Sequence, residues 1–397
     1  MAGEDIMPAM PWPVPVACRG ADPIPETVDV AVVGGSLAGL TAARLLAEGG
    51  ASVALISDGP LGEPSLAAPG IVQQDLGEHP HRLVAAVGQE EARAIHRFLV
   101  ENRELLQRGG WFLRTGSLVV AAMEHEDREL VEGFSVCESL SLAATLLSAE
   151  EVCDRLSATG FGPGRLQPDD GVIEPGAVEA AMVAGARAAG AALCPGRRIT
   201  GVEDRRGGSR LLWGDGAVRA DVVVLAGGFR LASAWPWFSD KLYPVRHQWI
   251  ATAPVAPGRL RLPVSGQHGF STWRQLGDGR IVAGGGRFAS PHLAIGETDA
   301  DVIDPRVDHV LRANLGRFFP DLADVAIDHA WAAIATHTCD GLPIIGPLPG
   351  RVDLVACTGF HAHEHALAIR AGQVVAEGLL TGRAPGIPRT FRAGRMV

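Results

Sequence analysis

A glycine-rich hexapeptide between an apolar strand and a helix is the feature that most constrains the fold of this chain. Residues 28–33 read VDVAVV, a β-branched and apolar run typical of a strand buried on both faces. Residues 34–39 follow as GGSLAG, and residues 37–48 are rich in strong helix formers. Residues 52–56 give a second strand. The segment therefore predicts a βαβ unit of about thirty residues, the size that a dinucleotide-binding fold requires.

The hexapeptide fits the pattern G-x-G-x-x-G with Ser36 in place of the second glycine. In such a loop, backbone N–H groups and the positive end of the helix face the pyrophosphate of a dinucleotide. Serine is small enough to let the backbone approach the phosphates closely. We therefore expect cofactor contacts from Gly34, Gly35, Ser36, Leu37, Ala38 and Gly39.

The residue that binds the ribose is expected at the end of the second strand, roughly 20 residues beyond the loop. Ser57 and Asp58 stand there. Either Asp58 reaches the ribose, the alternative that we favour, or Ser57 bonds it less strongly. A third interpretation is that Asp58 only belongs to the turn with Gly59.

Length, charge and apolar runs limit the kinds of function. At 397 residues the chain exceeds a single hydrophobic core, so two intertwined domains are expected. The net charge of −10 at pH 7 argues against a nucleic-acid partner, because phosphate binding requires a basic face. No signal peptide is recognisable, and no apolar run approaches the roughly eighteen residues of a membrane span. We therefore expect a cytoplasmic protein with free cysteine thiols and no membrane partner.

Further elements of the same type recur along the chain. Helices are predicted at residues 90–106, 175–191, 304–319 and 366–380, and strands at 116–121, 218–225 and 352–356. A Gly-Asp-Gly sequence at 277–279 predicts a hairpin. The prolines of residues 1–26 predict an extended arm that lies on the surface, or alternatively forms a lid.

From residue 28 to residue 385 the chain resembles the D-amino-acid-oxidase (DAO) superfamily of FAD-dependent oxidoreductases. The matching pieces follow the family's order: the glycine loop, the segment 221–228 (DVVVLAGG), the segment 340–346 (DGLPIIG), and the turn at 358–359 with its helix. The resemblance implies that the first loop holds the pyrophosphate and that the glycine pair at 227–228 passes beside FAD. It also implies that the last turn brings a helix N-terminus to the flavin pyrimidine, where reduced flavin is negatively charged.

The resemblance implies an α/β fold with two interleaved parts. A discontinuous Rossmann-type FAD-binding domain is expected over residues 27–82, 172–232 and 332–390. An α+β substrate-binding domain with a mixed or antiparallel sheet is expected over 83–171 and 233–331. The cofactor contacts implied by the resemblance, besides the first loop, are Ile199, Gly227, Gly228, Asp340, Gly341, Gly359, Phe360, His361, Ala362 and His363.

Several features are similar to the amine-oxidising branch, represented by γ-glutamylputrescine oxidases, more than to amino-acid oxidases. Glycine-oxidase-like members place a carboxylate-binding arginine five residues before the aspartate of the DGLP segment, and Ala335 stands there. An amine is therefore favoured over an α-amino acid, unless Arg246, Arg274 or Arg287 supplies the charge. Sarcosine-oxidase-like members carry a flavin-linking cysteine where this chain has Ala333. FAD is therefore expected to be bound non-covalently.

The terminal turn departs from the family pattern. Relatives commonly read Gly-His-Gly-Gly-His-Gly, whereas residues 359–364 read Gly-Phe-His-Ala-His-Glu. No metal-ligand motif such as H-E-x-x-H accompanies these histidines, so no metal site is predicted. The side chains expected near the flavin and the substrate, as catalytic candidates, are His363, His361, Glu364, His337, Arg274, Trp273 and His247.

Three functional hypotheses remain open at this point. The first is an oxidase or dehydrogenase that transfers a hydride from the C–N bond of a small amine to flavin N5 and yields an imine. The second is a flavoenzyme that acts on a glycine-, D-amino-acid- or sarcosine-type substrate. The third is a non-catalytic flavoprotein subunit. Dioxygen or another acceptor would reoxidise the flavin in an enzyme, and the oligomeric state is open.

Overall fold

A computed structural model describes residues 9–15, 18, 20–205, 207–214, 216–383 and 386–396. The strands are β1 (Thr27–Val33), β2 (Val53–Ile56), β3 (Ile71–Val72), β4 (Phe112–Leu113), β5 (Ser117–Val120), β6 (Thr145–Leu147), β7 (Gly164–Gln167), β8 (Gly171–Ile173), β9 (Ala192–Cys194), β10 (Gly201–Arg205), β11 (Gly208–Trp213), β12 (Gly216–Leu225), β13 (Leu242–Thr252), β14 (Val264–Gly266), β15 (Ser271–Gln275), β16 (Ile281–Gly285), β17 (Ile327–Thr338), β18 (Ile344–Leu348) and β19 (Arg351–Thr358). The helices are α1 (Leu37–Glu48), α2 (Pro80–Val87), α3 (Gln89–Arg108), α4 (Glu126–Ser135), α5 (Ala149–Leu156), α6 (Ala177–Ala188), α7 (Pro305–Phe318) and α8 (Glu364–Thr381).

The first sheet is the dinucleotide-binding sheet. Strands β9, β2, β1, β12 and β19 lie side by side and run parallel. The β10–β11 hairpin extends β12, and β18 pairs antiparallel with β19. The parallel strands are continuous apolar runs because helices α1, α6 and α8 cover one face and a second apolar cluster covers the other. The predicted Rossmann-type arrangement is confirmed.

The second sheet contains eight strands in the order β17-β13-β16-β15-β14-β5-β7-β6. Its neighbours are antiparallel except for β14 and β5, which run parallel. The sheet is therefore mixed, as predicted, and the hairpin at 277–279 joins β15 to β16. Helices α5 and α7 pack on one face, and Val307, Leu311 and Phe318 of α7 enter its core. A small third sheet joins β3, β8 and β4.

Two predicted domain boundaries differ from the sheet membership. Residues 327–338 form one strand that pairs with β13 throughout, so the boundary at 332 cuts through a strand of the second sheet. Helix α3 was expected in the substrate-binding domain. Its residues Ile95, Phe98 and Leu99 instead join the core formed by α1 and α8, because its apolar face continues that surface. Among the described residues, no helix is long and apolar enough to span a membrane.

Candidate active site

A cavity of about 790 Å³ opens at the carboxyl ends of the parallel strands. The loops after β1, β2, β12 and β19 form one side, and residues 331–334 and 336 of β17 form the other. The carboxyl edge of a parallel sheet is where nucleotides bind in folds of this type. The volume also falls within the roughly 300–1,000 Å³ typical of cofactor pockets.

The first glycine loop lies at one end of this cavity. Gly34 has φ +114°, and a Cβ atom there would lie 2.4 Å from the backbone carbon of Ala226. The Ser36 side chain caps α1 by accepting a hydrogen bond from the Gly39 N–H at 3.2 Å. No acidic residue occupies the first turn of α1, so the positive helix end is left for an anion.

Only part of the predicted loop lines the cavity. Gly34, Gly35 and Ser36 do so. Leu37, Ala38 and Gly39 instead lie in the fully buried first turn of α1 and do not line it. Once the helix begins, side chains turn into the core that α1 shares with α8, so a cofactor contact from these three residues stays a prediction for their backbone N–H groups.

Both candidates for the ribose contact line the cavity. An added Cβ on Gly35 would lie 3.0 Å from the Ser57 Oγ, so the Ser57 hydroxyl faces the glycine loop. The Asp58 carboxylate lies 3.2 Å from Nε of Arg230, which also lines the cavity. Arg230 was missed by sequence reasoning, although it lies only two residues after the second glycine pair. The choice between Asp58 and Ser57 stays open in this geometry.

The second glycine pair closes the floor of the cavity. Gly227 lines it, and Gly228 has φ +65°. A Cβ on Gly228 would lie 2.3 Å from the Thr336 Oγ1 of β17, which accepts a hydrogen bond from the Phe229 N–H. Ile199 is buried beside a neighbouring cleft of about 30 Å³ that also contacts Asp58.

Asp340 and Gly341, which were expected to contact the cofactor, do not line the cavity. The Asp340 carboxylate is bound by the Arg395 guanidinium, with Nε at 2.7 Å and Nη2 at 3.0 Å. It also accepts the Leu342 N–H and the Thr338 hydroxyl. These contacts close the turn between β17 and β18, which explains the polar residue there without a cofactor contact.

Three residues of the terminal turn adopt left-handed backbone conformations, although only one of them is glycine. Gly359, His361 and Ala362 have φ values of +80°, +54° and +64°. Left-handed conformations cost a non-glycine residue roughly 1–2 kcal/mol. Gly359 and Phe360 line the cavity, whereas Ala362 does not.

Glu364 begins α8 and lines the cavity at 5% exposure. Burial raises the pKa of its carboxyl group, with Glu179 adding to the shift. A raised pKa favours the neutral acid, which opposes the positive end of α8 less than a carboxylate does. That end therefore remains able to stabilise negative charge on a bound group.

Three predicted histidines form a hydrogen-bonded chain. His247 Nε2 lies 3.1 Å from His337 Nε2, and His337 Nδ1 lies 3.1 Å from His361 Nδ1. The Thr338 backbone N–H donates to His361 Nε2 at 3.0 Å. The structure thus brings together side chains from β13, β17 and the terminal turn, although none of the three imidazoles lines the large cavity.

The Thr338 backbone N–H fixes the direction of the hydrogen bonds between the three histidines. A backbone N–H can only donate, so His361 Nε2 is an acceptor and its proton resides on Nδ1. His361 therefore donates to His337 Nδ1, His337 donates from Nε2 to His247, and His247 carries its proton on Nδ1. Burial lowers the pKa of His247 and of His361 to about 3, and lowers that of His337 further, so the three rings are neutral at pH 7.

His363 faces a different space. Its Nδ1 lies 2.8 Å from the carbonyl oxygen of His361, and an added Cβ on Gly77 would lie 3.0 Å from its Nε2. It borders a separate cavity of about 60 Å³ rather than the large one. Burial lowers its pKa. His363 therefore lies next to the chain of three imidazoles without joining its ring-to-ring contacts.

The prediction that Trp273 lies at the substrate side is wrong. Its indole is 1% exposed and packs edge-on against Phe161, Phe318 and Phe319. Successive residues of a strand point to opposite faces, and position 273 falls on the face covered by α7. The cavity is on the other side of the sheet.

Arg274 points to the correct face but is already engaged. One Nη donates to the carbonyl oxygens of Pro69 and Ile173, the latter at 2.7 Å. Its other Nη lies 3.8 Å from the Glu174 carboxylate. Burial lowers the pKa of Arg274 to about 10, and the group holds three chain segments together. It is not free to bind a substrate carboxylate.

Two tryptophans form an aromatic wall on the same face of the sheet as Arg274. Sequence reasoning did not identify this wall. Trp249 and Trp331 stand opposite each other on β13 and β17, with ring centroids 5.9 Å apart. The described part of the proline-rich arm reaches this wall: Trp12 packs edge-on against Trp331 at 5.3 Å, and Met10 lines the cavity. The arm alternatives were a surface segment or a lid, and its described part contacts the site.

The residues present suit a dinucleotide cofactor. Added Cβ atoms at Gly34 and Gly228 would collide with neighbouring atoms, and the N-termini of α1 and α8 both face the cavity. Gly34 to Ser36 would hold the pyrophosphate, and the region of residues 359–364 would adjoin the flavin.

Comparisons with known proteins agree with this geometry. The family model described as "DAO: FAD dependent oxidoreductase" matches residues 29–378. A glycine oxidase of Geobacillus kaustophilus (strain HTA426) is 25% identical over 360 residues, which cover 88% of this chain and 92% of that protein. The crystal structure of glycine oxidase from Geobacillus kaustophilus superimposes with a TM-score of 0.79 at 22% identity, covering 94% of this chain and 100% of that chain. L-Proline dehydrogenase from P. horikoshii superimposes with a TM-score of 0.79 at 21% identity, covering 94% and 98% of the two chains.

The match spans most of the chain and includes every element that surrounds the cavity except the arm. The protein uses FAD and is an oxidoreductase of the amine and amino-acid oxidase type. The chain belongs to the DAO family of FAD-dependent oxidoreductases.

Proposed function

We propose that this enzyme oxidises the C–N bond of a small amine that lacks an α-carboxylate. The observation that carries the proposal is the substrate-side face of the second sheet. It presents Trp249 and Trp331, and Ala335 stands where the family's carboxylate-binding arginine is expected. An apolar aromatic wall favours an uncharged or weakly polar substrate body.

The three arginines considered as replacements for the missing one are engaged in other contacts. Arg246 is on the opposite face of β13 and lies 3.2 Å from the Glu297 carboxylate. Arg274 is held by backbone carbonyl groups. Arg287 stacks on Phe270 at 4.4 Å and donates to the Leu293 carbonyl. Each of the three side chains is therefore already engaged by another group.

FAD, when bound, supplies the acceptor for the hydride that leaves the amine carbon. The protein contributes position and exclusion of water, because Trp331 and Met10 line the cavity and Trp249 packs against Trp331. The amine must lose its ammonium proton before oxidation. In the directed histidine chain the proton of His247 is on Nδ1, so that nitrogen is a hydrogen-bond donor rather than a base.

We propose that FAD is held without a covalent bond. Ala333 occupies the position of the flavin-linking cysteine in similar proteins. Cys339 is exposed and does not line the cavity. Acid precipitation is expected to release FAD into the supernatant, whereas flavin retained in the precipitate would contradict this assignment.

The second candidate is an amino-acid substrate, which the name of the glycine oxidase relative favours. Arg287 is the residue to test, because it lies close enough to His247 and His337 to lower the pKa of both. Binding of a carboxylate by Arg287 would place the substrate near the histidine chain.

The test is anaerobic bleaching of the bound flavin by matched pairs of compounds. Each pair consists of an amine and the amino acid that differs from it by one α-carboxylate, such as propylamine with 2-aminobutyrate and benzylamine with phenylglycine. The proposal expects bleaching by amines and little change in Arg287→Met. Bleaching only by the acids, abolished in Arg287→Met, would establish the second candidate. If no member of a broad panel of amines and amino acids bleaches the flavin, the proposal is contradicted. The protein then has another type of substrate or is a non-catalytic flavoprotein subunit.

Replacement of Asp58 is expected to weaken FAD binding more than replacement of Ser57. A charge-assisted hydrogen bond contributes about 1.5–3 kcal/mol, so Asp58→Asn should raise the Kd of FAD roughly 10- to 100-fold. Ser57→Ala should have a smaller effect. Flavin fluorescence quenching on titration into apoprotein measures both, with Asp221→Asn, an exposed acid on β12, as the control. A larger loss in Ser57→Ala would assign the ribose contact to the serine.

A further inference from the structure

A second cluster of chemically active side chains lies outside the flavin cavity. His79 caps the start of α2, Glu129 is on α4, and His268 is in the turn between β14 and β15. These positions are spread along the chain from residue 79 to residue 268, so no local sequence motif indicates that they form a cluster. The fold nevertheless brings one nitrogen or oxygen atom from each within 4.8 Å of the others.

The three facing atoms lack hydrogen-bond partners among the described residues. They are His79 Nε2, Glu129 Oε2 and His268 Nδ1, all inaccessible to solvent. Glu129 Oε2 lies 3.7 Å from the first and 3.5 Å from the second nitrogen. His79 is 5% exposed, so its nitrogen is directed into a protein interior. Buried polar atoms without a partner are costly, by about 1–3 kcal/mol each, and three that converge need a common explanation.

A metal ion provides that explanation. Ligand bonds of about 2.0–2.2 Å in tetrahedral geometry separate neighbouring ligand atoms by roughly 3.4 Å. The observed separations of 3.5 Å and 3.7 Å are close to that value. Two imidazoles and one carboxylate form the ligand set that Zn²⁺ and related first-row ions accept.

The surroundings orient the ligands. The Arg82 guanidinium binds the other oxygen of Glu129, which leaves Oε2 free to face the two imidazoles. The Glu126 carboxylate accepts the backbone N–H of His268 at 2.6 Å, and His125 Nε2 lies 3.4 Å from the second ring nitrogen of His268. Partners of this kind hold metal-binding side chains in position.

A fourth position is also available. The cavity of about 60 Å³ is lined by His79 and His268 together with Gly266 and Arg165. Its volume is about that of two water molecules at roughly 30 Å³ each. The Arg165 guanidinium is paired with the Asp75 carboxylate at 2.9 Å, which offsets its charge.

We propose that His79, Glu129 and His268 bind one divalent transition-metal ion, with Zn²⁺ as the ion that suits them best. The ion would join α2 and α4 to the β14–β15 turn and so brace the substrate-side sheet against these helices. The proposal concerns a site separate from the FAD contacts and does not depend on the identity of the substrate.

Zinc content of the flavin-loaded, tag-free protein tests the site. The protein is incubated with ZnCl₂ at pH 7.5, desalted in the presence of a weak chelator, and analysed by mass spectrometry for zinc and by absorbance for FAD. We expect one zinc per chain and a thermal transition that rises with zinc and falls with EDTA. Glu129→Gln and His268→Gln should lose the zinc while they keep FAD.

The control is His309→Gln, which removes an exposed histidine on α7 and should retain the full zinc content. Equal zinc in His268→Gln and in the wild type would overturn the proposal. Substoichiometric zinc in the wild type would also overturn it, and that result does not require any variant to fold.

Discussion

Gly34→Ala is expected to abolish FAD retention and to lower the free energy of unfolding by about 4 kcal/mol. A methyl group at this position would lie 2.4 Å from backbone atoms of both Ala226 and Gly227, neither of which can move without displacing β12. The left-handed φ of +114° adds conformational strain of about 1–3 kcal/mol, and overpacking adds a similar amount. The displaced loop would no longer direct its N–H groups to the pyrophosphate.

Gly50→Ala separates the effect of backbone strain from the effect of the steric collision. Gly50 follows α1 with φ +91°, and an added Cβ there would meet no atom within 4 Å. It therefore carries the backbone strain without the collision, and we expect a loss of about 1–2 kcal/mol with FAD retained. Flavin content after gel filtration and the denaturant midpoint of tryptophan fluorescence measure both variants. Equal behaviour of the two would show that the close approach at Gly34 is not required.

Acidification from pH 7 to pH 5 is expected to lower stability by about 2 kcal/mol for each histidine of the buried chain. Burial lowers the pKa of His247 and His361 to about 3 in the folded state, whereas an unfolded histidine titrates near 6.5. Below pH 6.5 the unfolded chain binds protons that the folded chain does not, so stability is lost as the pH falls from 6.5 towards 3. His337 shifts in the same direction.

Denaturant midpoints at pH 7 and pH 5 test this dependence. His361→Gly removes one of these groups at a position whose φ of +54° a glycine adopts freely, so the loss of unfolding free energy between pH 7 and pH 5 should shrink by about 2 kcal/mol. Exposed His309 provides the control, and His309→Gln should leave this loss unchanged. His79, His96 and His363 also have lowered pKa values, so they add to the wild-type loss in the same direction. An unchanged loss in His361→Gly would contradict the neutral-chain interpretation.

The local elements of the FAD domain were predictable because their signals are local. The helix at 37–48 matches α1, and strands at 28–33 and 218–225 correspond to β1 and β12, since apolar runs and glycine breaks mark them directly. The recurrence of such elements along the chain indicated a discontinuous domain, and the family resemblance supplied the roles of its segments.

The substrate side was less predictable because it depends on strand register. Trp273 and Arg274 are neighbours in sequence, and a shift of one position exchanges the face that each occupies. Sequence reasoning assigned both to the substrate, whereas the structure buries Trp273 under α7 and ties Arg274 to two carbonyl groups. Both of these neighbours are buried, so residue type did not distinguish the face covered by α7 from the face towards the cavity.

The histidines show the same limit over longer distances. His247, His337 and His361 were proposed individually, but their hydrogen-bonded order depends on the pairing of β13 with β17 and on the left-handed turn at 361. The cluster of His79, Glu129 and His268 was not predicted at all. Its members become neighbours only when α2, α4 and the β14–β15 turn have packed.

The described arm places Met10 and Trp12 at the flavin cavity and its aromatic wall, yet the family match begins at residue 29. The lining of the site therefore includes a segment that the common architecture of the family does not constrain. Substitutions in that segment can reshape one wall of the pocket while the sheets and the glycine loops remain intact. A change of residue in the arm is thus expected to alter substrate preference without altering cofactor binding.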